Sequence, residues 1–193
     1  MRIIGGKSGG RLLSVPKGFD VRPTPDLVKQ AVFNSLGDRV NGASVLELFG
    51  GSGALSLESL SRGARGAAIV EKSNRTARMI RANFESLDLQ PLQLELRQQD
   101  AYVAIAQMAR DGRAFDLIFA DPPYGEKNLG KRSDSFAQKL LDDENLPKLL
   151  AISGTFVLGH SKRDTLEVPK FWHERKLLKH GDSIMRLLER ARQ

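Results

Sequence analysis

Asp121-Pro122-Pro123-Tyr124 puts an acid, two prolines and an aromatic ring at one point of the chain. Proline fixes φ and carries no amide hydrogen, so the pair makes a stiff corner whose carbonyls are left to accept. Carboxylate and carbonyl oxygens accept from an NH2 group, and a phenol ring offers a stacking face. Such a set could hold a flat, amine-bearing group. A tight loop with a capping aspartate would use the same residues, and these four alone do not decide between the two.

A second set lies upstream. Glu47-Leu48-Phe49 runs into Gly50-Gly51-Ser52-Gly53, and Ala67-Ala68-Ile69-Val70 runs into Glu71, twenty residues beyond Gly51. Glycines let backbone approach a ligand closely, and the helix that follows offers free N–H groups at its N-terminus. An acid at that spacing can accept both hydroxyls of a ribose. A dinucleotide site expects a third glycine at position 56, where this chain has Ser56. Glu47 would repel a pyrophosphate but can pair with a positive charge on a ligand. The set therefore favours a cationic, phosphate-free nucleoside, S-adenosylmethionine, over NAD. Asp100 is placed to accept from an adenine amine or to cap a helix over 101–110, and the two roles are compatible.

These residues need elements to position them. Apolar runs predict strands over 44–49, 67–71 and 115–120, and the alternation of Leu92, Leu94 and Leu96 predicts another ending near Asp100. Helices are expected from Ala54 to Leu60, closed by Gly63, and from a Ser73 cap to about Leu87. The glycines and acids then fall at the carboxyl ends of four successive strands, where open α/β sheets bind ligands. Upstream, Val28, Val32, Phe33 and Leu36 form a helical stripe, with Thr24 as cap, Pro25 at the first helical position and Gly37 at the end. Residues 1–22 read as a separate basic arm, a small hairpin about Gly5–Gly10 or a solvated segment, ahead of one domain over 23–193. Downstream, 125–135 is a polar loop that could close over a substrate, and 136–151 is helical with a break before Pro147. A strand over 154–160 and an antiparallel pair near 171–179 and 183–189 complete the sheet.

The totals bound the class. A chain of 193 residues suits one domain with a real core. The absence of cysteine excludes disulfides, thiolate metal sites and a cysteine nucleophile. His160, His173 and His180 show no metal spacing, so no metal is expected. A formal charge of +7 points to a polyanionic partner. The cations expected to meet phosphate are Arg2, Lys7, Arg11 and Arg22 in the arm, with Lys29, Lys127 and Arg132 beyond it. Arg75, Arg78 and Arg81 read as a solvated helix face. No apolar run of 18 residues and no signal peptide is seen, and a cytoplasmic monomer is the expectation.

The stretches Arg22-Pro23-Thr24 through Lys29 to Phe33-Asn34, Glu47 through Leu55, and Asp121-Pro122-Pro123-Tyr124 together resemble the bacterial RsmD-type methyltransferases. The resemblance covers nearly the whole chain, and the stretch from Arg22 to Asn34 is its most specific part. It departs at Gly50, where alanine is usual, and at Pro25 and Leu27, where threonine and arginine are common. The resemblance implies a Rossmann-like class I fold: a seven-stranded mixed sheet with helices on both faces and the last strand antiparallel. It implies methyl transfer from S-adenosylmethionine to N2 of one guanine in small-subunit ribosomal RNA, within a protein-bearing particle. Glu47, Phe49, Gly51, Ser52 and Gly53 would line the methionine part. Glu71 would hold the ribose, Asp100 and Ala101 the adenine, and Asp121, Pro122, Pro123 and Tyr124 the target base; Lys72 is also expected in the cofactor site. The rival readings are an adenine-N6 DNA methyltransferase, which can share the corner but usually carries an added recognition region, and a basic RNA-binding module without catalysis. Methyltransferases for protein glutamine resemble Asn-Pro-Pro-Tyr, whereas here the first residue is Asp121.

Overall fold

The alternation along β1 (Ser44–Leu48) and β4 (Phe115–Ala120) builds two cores at once. Successive side chains in a strand point to opposite faces. Val45, Leu117 and Phe119 join one buried cluster with Val32, Phe33, Leu57, Leu60 and Phe84. Leu46, Leu48 and Ile118 join the other, with Ile105, Met108, Leu140 and Trp172. A parallel sheet covered on both faces needs such near-continuous apolar strands. The computed structural model describes residues 1–15, 25–90, 93–124 and 132–191.

With β2 (Gly66–Val70), β3 (Leu94–Arg97), β5 (Leu150–Ser161), β6 (Trp172–His180) and β7 (Ser183–Arg190), the sheet has seven strands in the order β3-β2-β1-β4-β5-β7-β6. The first five neighbours run parallel, and β7 is antiparallel to both β5 and β6. The expected seven-stranded mixed sheet is therefore present, closed by its antiparallel pair. The helices are α1 (Asp26–Leu36), α2 (Ala54–Ser61), α3 (Asn74–Glu85), α4 (Ala101–Arg110) and α5 (Phe136–Asp142). Ser73 caps α3 by accepting from the Thr76 amide, and Asp100 caps α4 by accepting from that of Tyr102. Strand order reverses between β1 and β4, which opens a crevice at their carboxyl ends.

Three boundaries differ from expectation. The helix after the polar loop stops at Asp142, and a single 3-10 turn over Leu146–Leu149 leads into β5 at Leu150, four residues before the expected start. Leu146, Leu149 and Leu150 are all buried, and their spacing fits a helix as well as it fits a turn entering a strand. Pro25 is the residue before α1, not its first residue, and Thr24 lies outside the described residues, as does Leu92.

The N-terminal segment is docked rather than solvated over residues 1–15. Arg2 and Leu12 form an antiparallel bridge, and Ile3 and Leu13 are buried in the core shared with α1 and α2. The Ile4 amide donates to Glu58 Oε2 at 2.7 Å, the Ser8 amide to Ser61 Oγ at 2.9 Å, and the Ser61 hydroxyl to the Gly5 carbonyl at 2.6 Å. Lys29 completes the attachment. Its ammonium donates to the Arg2 carbonyl and pairs with Asp26 at 3.2 Å, and the side chain is fully buried. No helix among the described residues is long and apolar enough to cross a membrane.

Candidate active site

β1 ends in an abrupt turn. Phe49 takes a left-handed backbone with φ 57°, uncommon for any residue with a side chain. Gly51 and Gly53 follow at φ 55° and 73°, where glycine alone is unstrained. The turn swings the Phe49 ring against those of Tyr102 and Phe136, at centroid distances of 6.2 and 5.8 Å. It also aims the Gly51 amide at Glu71, whose Oε2 accepts it at 3.0 Å while Oε1 accepts the Ser73 amide at 2.7 Å. The acid after β2 is thus locked between the glycine turn and the start of α3. Gly50 has its own cause in this chain: a methyl there would stand 2.5 Å from Ile69 Cγ2, so Ile69 occupies the space an alanine would need.

A cavity of about 280 Å3 lies over the carboxyl ends of β1, β2, β3 and β4. Phe49, Gly51, Glu71, Lys72, Asp100, Ala101, Asp121 and Pro123 line it, so eight of the expected site residues share one hollow. Glu71, Asp100 and Asp121 bring carboxylates to a wall otherwise formed largely of rings and aliphatic groups. Lys72 is exposed and pairs with Asp100 at 3.4 Å, so part of that negative charge is already balanced.

Glu47 and Ser52 stand behind this lining. Glu47 is buried, and its carboxylate accepts the Ser56 amide at 2.8 Å and the Leu55 amide at 3.4 Å, capping α2 from within β1. Burial pushes Glu47 up to about 7, the Asp121 carboxylate pushes the same way, and the two amides pull it down. Ser52 is buried with its hydroxyl 3.4 Å from Met1 Sδ, and its carbonyl accepts from Asn83. Pro122 is buried, while Tyr124 is 42% exposed and its hydroxyl meets Ser183 Oγ at 3.0 Å. The corner therefore presents Asp121 and the exposed Pro123 to the cavity, with Tyr124 exposed beside them.

Residues 1–189 match the model of a family described as conserved hypothetical protein 95. The chain belongs to this family. Among curated relatives, the chain is 36% identical over 129 residues to a protein named as a putative rRNA methyltransferase, YlbH, of Bacillus subtilis, covering 67% of this chain and 70% of the relative. It is 36% identical over 124 residues to ribosomal RNA small subunit methyltransferase D of Escherichia coli K12, covering 64% of this chain and 60% of that relative. Among solved structures, the putative methyltransferase yhhF from Escherichia coli superposes over 100% of this chain and 99% of its own, with a TM-score of 0.81 and 27% identity. The family's fold is thus carried over the whole length, whereas the curated alignments span only part of each relative.

Within this family member, the cations expected to meet RNA divide three ways. Lys7 and Arg11 are exposed, and Arg2 is exposed but paired with Asp26 at 3.1 Å. Lys29 is a correction: it sits inside the core with its charge satisfied, because α1 turns that face onto the N-terminal hairpin. Arg132 is on the surface but held by Asp142 at 2.7 Å and Glu167 at 3.0 Å, which together hold its pKa above the ordinary arginine value. Arg22, Lys127 and most of the loop over 125–135 lie outside the described residues.

The cavity also holds residues that no motif announced. Thr76, Gln99 and Phe136 line it. The Gln99 amide nitrogen is buried with no hydrogen-bond partner among the described residues. An orphaned donor in a hollow already furnished with acceptors suits a ligand that brings acceptors of its own, such as adenine ring nitrogens. Its one sequence signal was position, directly before Asp100 at a strand end. Phe136 comes from α5 and reaches the site only through the fold. No cluster of residues able to hold a metal occurs among the described residues.

Proposed function

We propose that this chain transfers a methyl group from S-adenosylmethionine to the exocyclic N2 of a guanine in small-subunit ribosomal RNA. The observation that carries the reading is the sharing of one cavity by Glu71, Asp100 and Asp121, which joins a nucleoside grip to an amine-accepting corner. The similarity to the Escherichia coli small-subunit methyltransferase supports the substrate class. The cofactor fits the residues present: Glu71 for the ribose hydroxyls, Asp100 and Gln99 for the adenine edge, and Phe49 and Phe136 for its faces. When bound, it supplies a methyl group on a sulfonium, already a strong electrophile.

The residues then have little acid–base work to do. Guanine N2 is a poor nucleophile because its lone pair is delocalised into the ring. Asp121 and the corner carbonyls accept its two hydrogens, localise that lone pair and fix its direction, and this alignment is the main catalytic contribution. The Asp121 carboxylate, half-buried in the cavity wall, would also favour the positive charge that the cofactor brings. As the N2–CH3 bond forms the S–CH3 bond would break, with S-adenosylhomocysteine as the leaving group, and the methylated amine would then lose one proton to water. A guanine must leave its stack to reach this depth, and the exposed Tyr124 ring receives it at the rim. The protein acts as a monomer on rRNA already carrying ribosomal proteins.

Incubation with labelled S-adenosylmethionine and small ribosomal subunits, followed by digestion to nucleosides, tests the reading. The expected product is labelled N2-methylguanosine. Label in N6-methyladenosine, label in duplex DNA, or no transfer to either particle or naked rRNA would overturn it.

A further inference from the structure

The target-base corner has a neighbour that the motifs do not mention. β5 pairs with β4 in parallel, with Ala120 beside Leu158, so the chain beyond Gly159 continues past Asp121 at the same end of the sheet. It turns at Lys162 and Arg163, and the turn is fixed: Ser161 accepts the Asp164 amide at 3.0 Å and the Arg163 amide at 3.2 Å. The Lys162 amide donates to the Asp182 carbonyl at 2.7 Å, which ties this turn to the one joining β6 and β7. Ser183, in that second turn, is the partner of the Tyr124 hydroxyl. Lys179 leads into the same turn, with Ser183 paired to His180. The two turns and the Tyr124 ring therefore form one rim.

Its charge is mostly positive. Lys162, Arg163 and Lys179 are exposed, and none pairs with a carboxylate among the described residues. Asp164 is buried beneath the turn, leaving Asp182 as the acid at this surface. Two other cations, Lys72 in the cavity wall and Arg132 on the surface, differ from these. Lys72 and Arg132 each hold an ion pair, so their charge is already used. Free cations beside a site for a flat base suit the phosphates on either side of that base, because a nucleotide drawn into a pocket leaves its backbone at the mouth.

We infer that the Lys162–Arg163 turn and Lys179 form a lip that binds the RNA phosphates flanking the target guanine. The inference rests on the functional reading above and deepens it, by assigning the backbone grip to the β5 and β6–β7 turns in addition to the N-terminal hairpin. Three phosphate contacts of this kind contribute to salt dependence more than to chemistry.

The test compares wild type with Lys162→Gln/Arg163→Gln/Lys179→Gln and with Arg75→Gln/Arg78→Gln/Arg81→Gln, which removes three exposed cations of α3. Binding to small-subunit rRNA transcribed in vitro is measured from low to moderate salt, with S-adenosylmethionine affinity measured by calorimetry alongside. The lip variant should bind the cofactor as wild type does, while its log–log salt slope is shallower by about 2 to 3. The α3 variant should keep the wild-type slope. A lip variant with an unchanged slope, or an α3 variant that loses as much, would overturn the lip while leaving methyl transfer by wild type intact. A wild type that neither binds nor methylates the RNA would overturn the functional reading, and the lip with it.

Discussion

Gly159 of β5 stands directly against Asp121, and a methyl group added there would lie 2.3 Å from Asp121 Oδ1 and 2.9 Å from its Cγ. Met185 Sδ would stand 3.2 Å away. The missing side chain is thus the space in which the corner's carboxylate sits. Gly159→Ala should leave the proposed cofactor grip alone, since Glu71 and Asp100 follow β2 and β3 rather than β4, and displace Asp121. A shift of about 1 Å at a reacting group can cost about 100-fold in turnover. We expect a loss of that order in kcat with S-adenosylmethionine affinity within about twofold of wild type. Turnover equal to wild type would show that the position of Asp121 is not what the strand protects.

Asp121→Ala removes the proposed acceptor itself. Loss of one charge-aligned contact in a sheltered site typically lowers kcat by about 100- to 1,000-fold. Single-turnover methylation of rRNA should fall in that range while calorimetry shows cofactor binding retained. An unchanged single-turnover rate would remove Asp121 from the chemistry.

Glu71 holds the glycine turn and the start of α3 through the Gly51 and Ser73 amides, and it is also the proposed ribose acceptor. Glu71→Ala should weaken S-adenosylmethionine binding by about 10- to 100-fold, since hydrogen bonds to a charged group are each worth about 1.5–3 kcal/mol. It should also lower the melting temperature of the cofactor-free protein. Weakened binding without any change in melting would separate the two roles, and unchanged binding would refute the ribose assignment.

Much of this site was legible before the fold. Glu71 and Asp121 each end a short apolar run, and Asp100 follows the alternating leucines by a few residues; an acid at such a boundary is informative because strands of this kind have one place to end. The glycine turn was legible for the same reason. Lys29 was not, since its burial depends on the N-terminal hairpin folding back over α1, a contact with no local periodicity. Gln99 and Phe136 were missed on similar grounds: one is a polar residue beside a more conspicuous acid, the other arrives after a long polar loop. The start of β5 was misplaced because Leu146, Leu149 and Leu150 satisfy helical and strand patterns alike.

Two buried titratable groups should make stability depend on pH in opposite directions. His160 accepts from Arg186 Nε at 2.9 Å through Nε2, which leaves Nδ1–H to donate to the Ser161 carbonyl. Burial and the Arg186 charge lower its pKa from 6.5 to about 4. Between those values the unfolded chain binds more protons, so this group's contribution is complete above pH 6.5 and is lost as pH falls through 4. Glu47 is raised from 4.5 to about 7, so its contribution is complete below pH 4.5 and is lost as pH rises through 7. Each amounts to something on the order of 3 kcal/mol, and they oppose one another where the windows overlap. In urea titrations, Glu47→Gln should therefore gain stability with rising pH across the overlap, and His160→Asn should lose it, each by up to about 1.4 kcal/mol per pH unit. Variants that both run parallel to wild type would show that neither group is held in the protonation state the fold implies.

Gln99 offers a test in which stability and binding move in opposite directions. Its amide nitrogen is buried without a partner among the described residues. A buried donor left unpaired costs about 1–3 kcal/mol, and replacing it by an apolar group of similar shape removes that cost. Gln99→Leu should leave the cofactor-free protein as stable as wild type or more so. If the donor serves adenine, the same variant should bind S-adenosylmethionine about tenfold more weakly and show a smaller rise in melting temperature when the cofactor is added. A merely structural glutamine would give the opposite result, with lowered stability and unaltered affinity, and the adenine edge would then have to be sought at Asp100 alone.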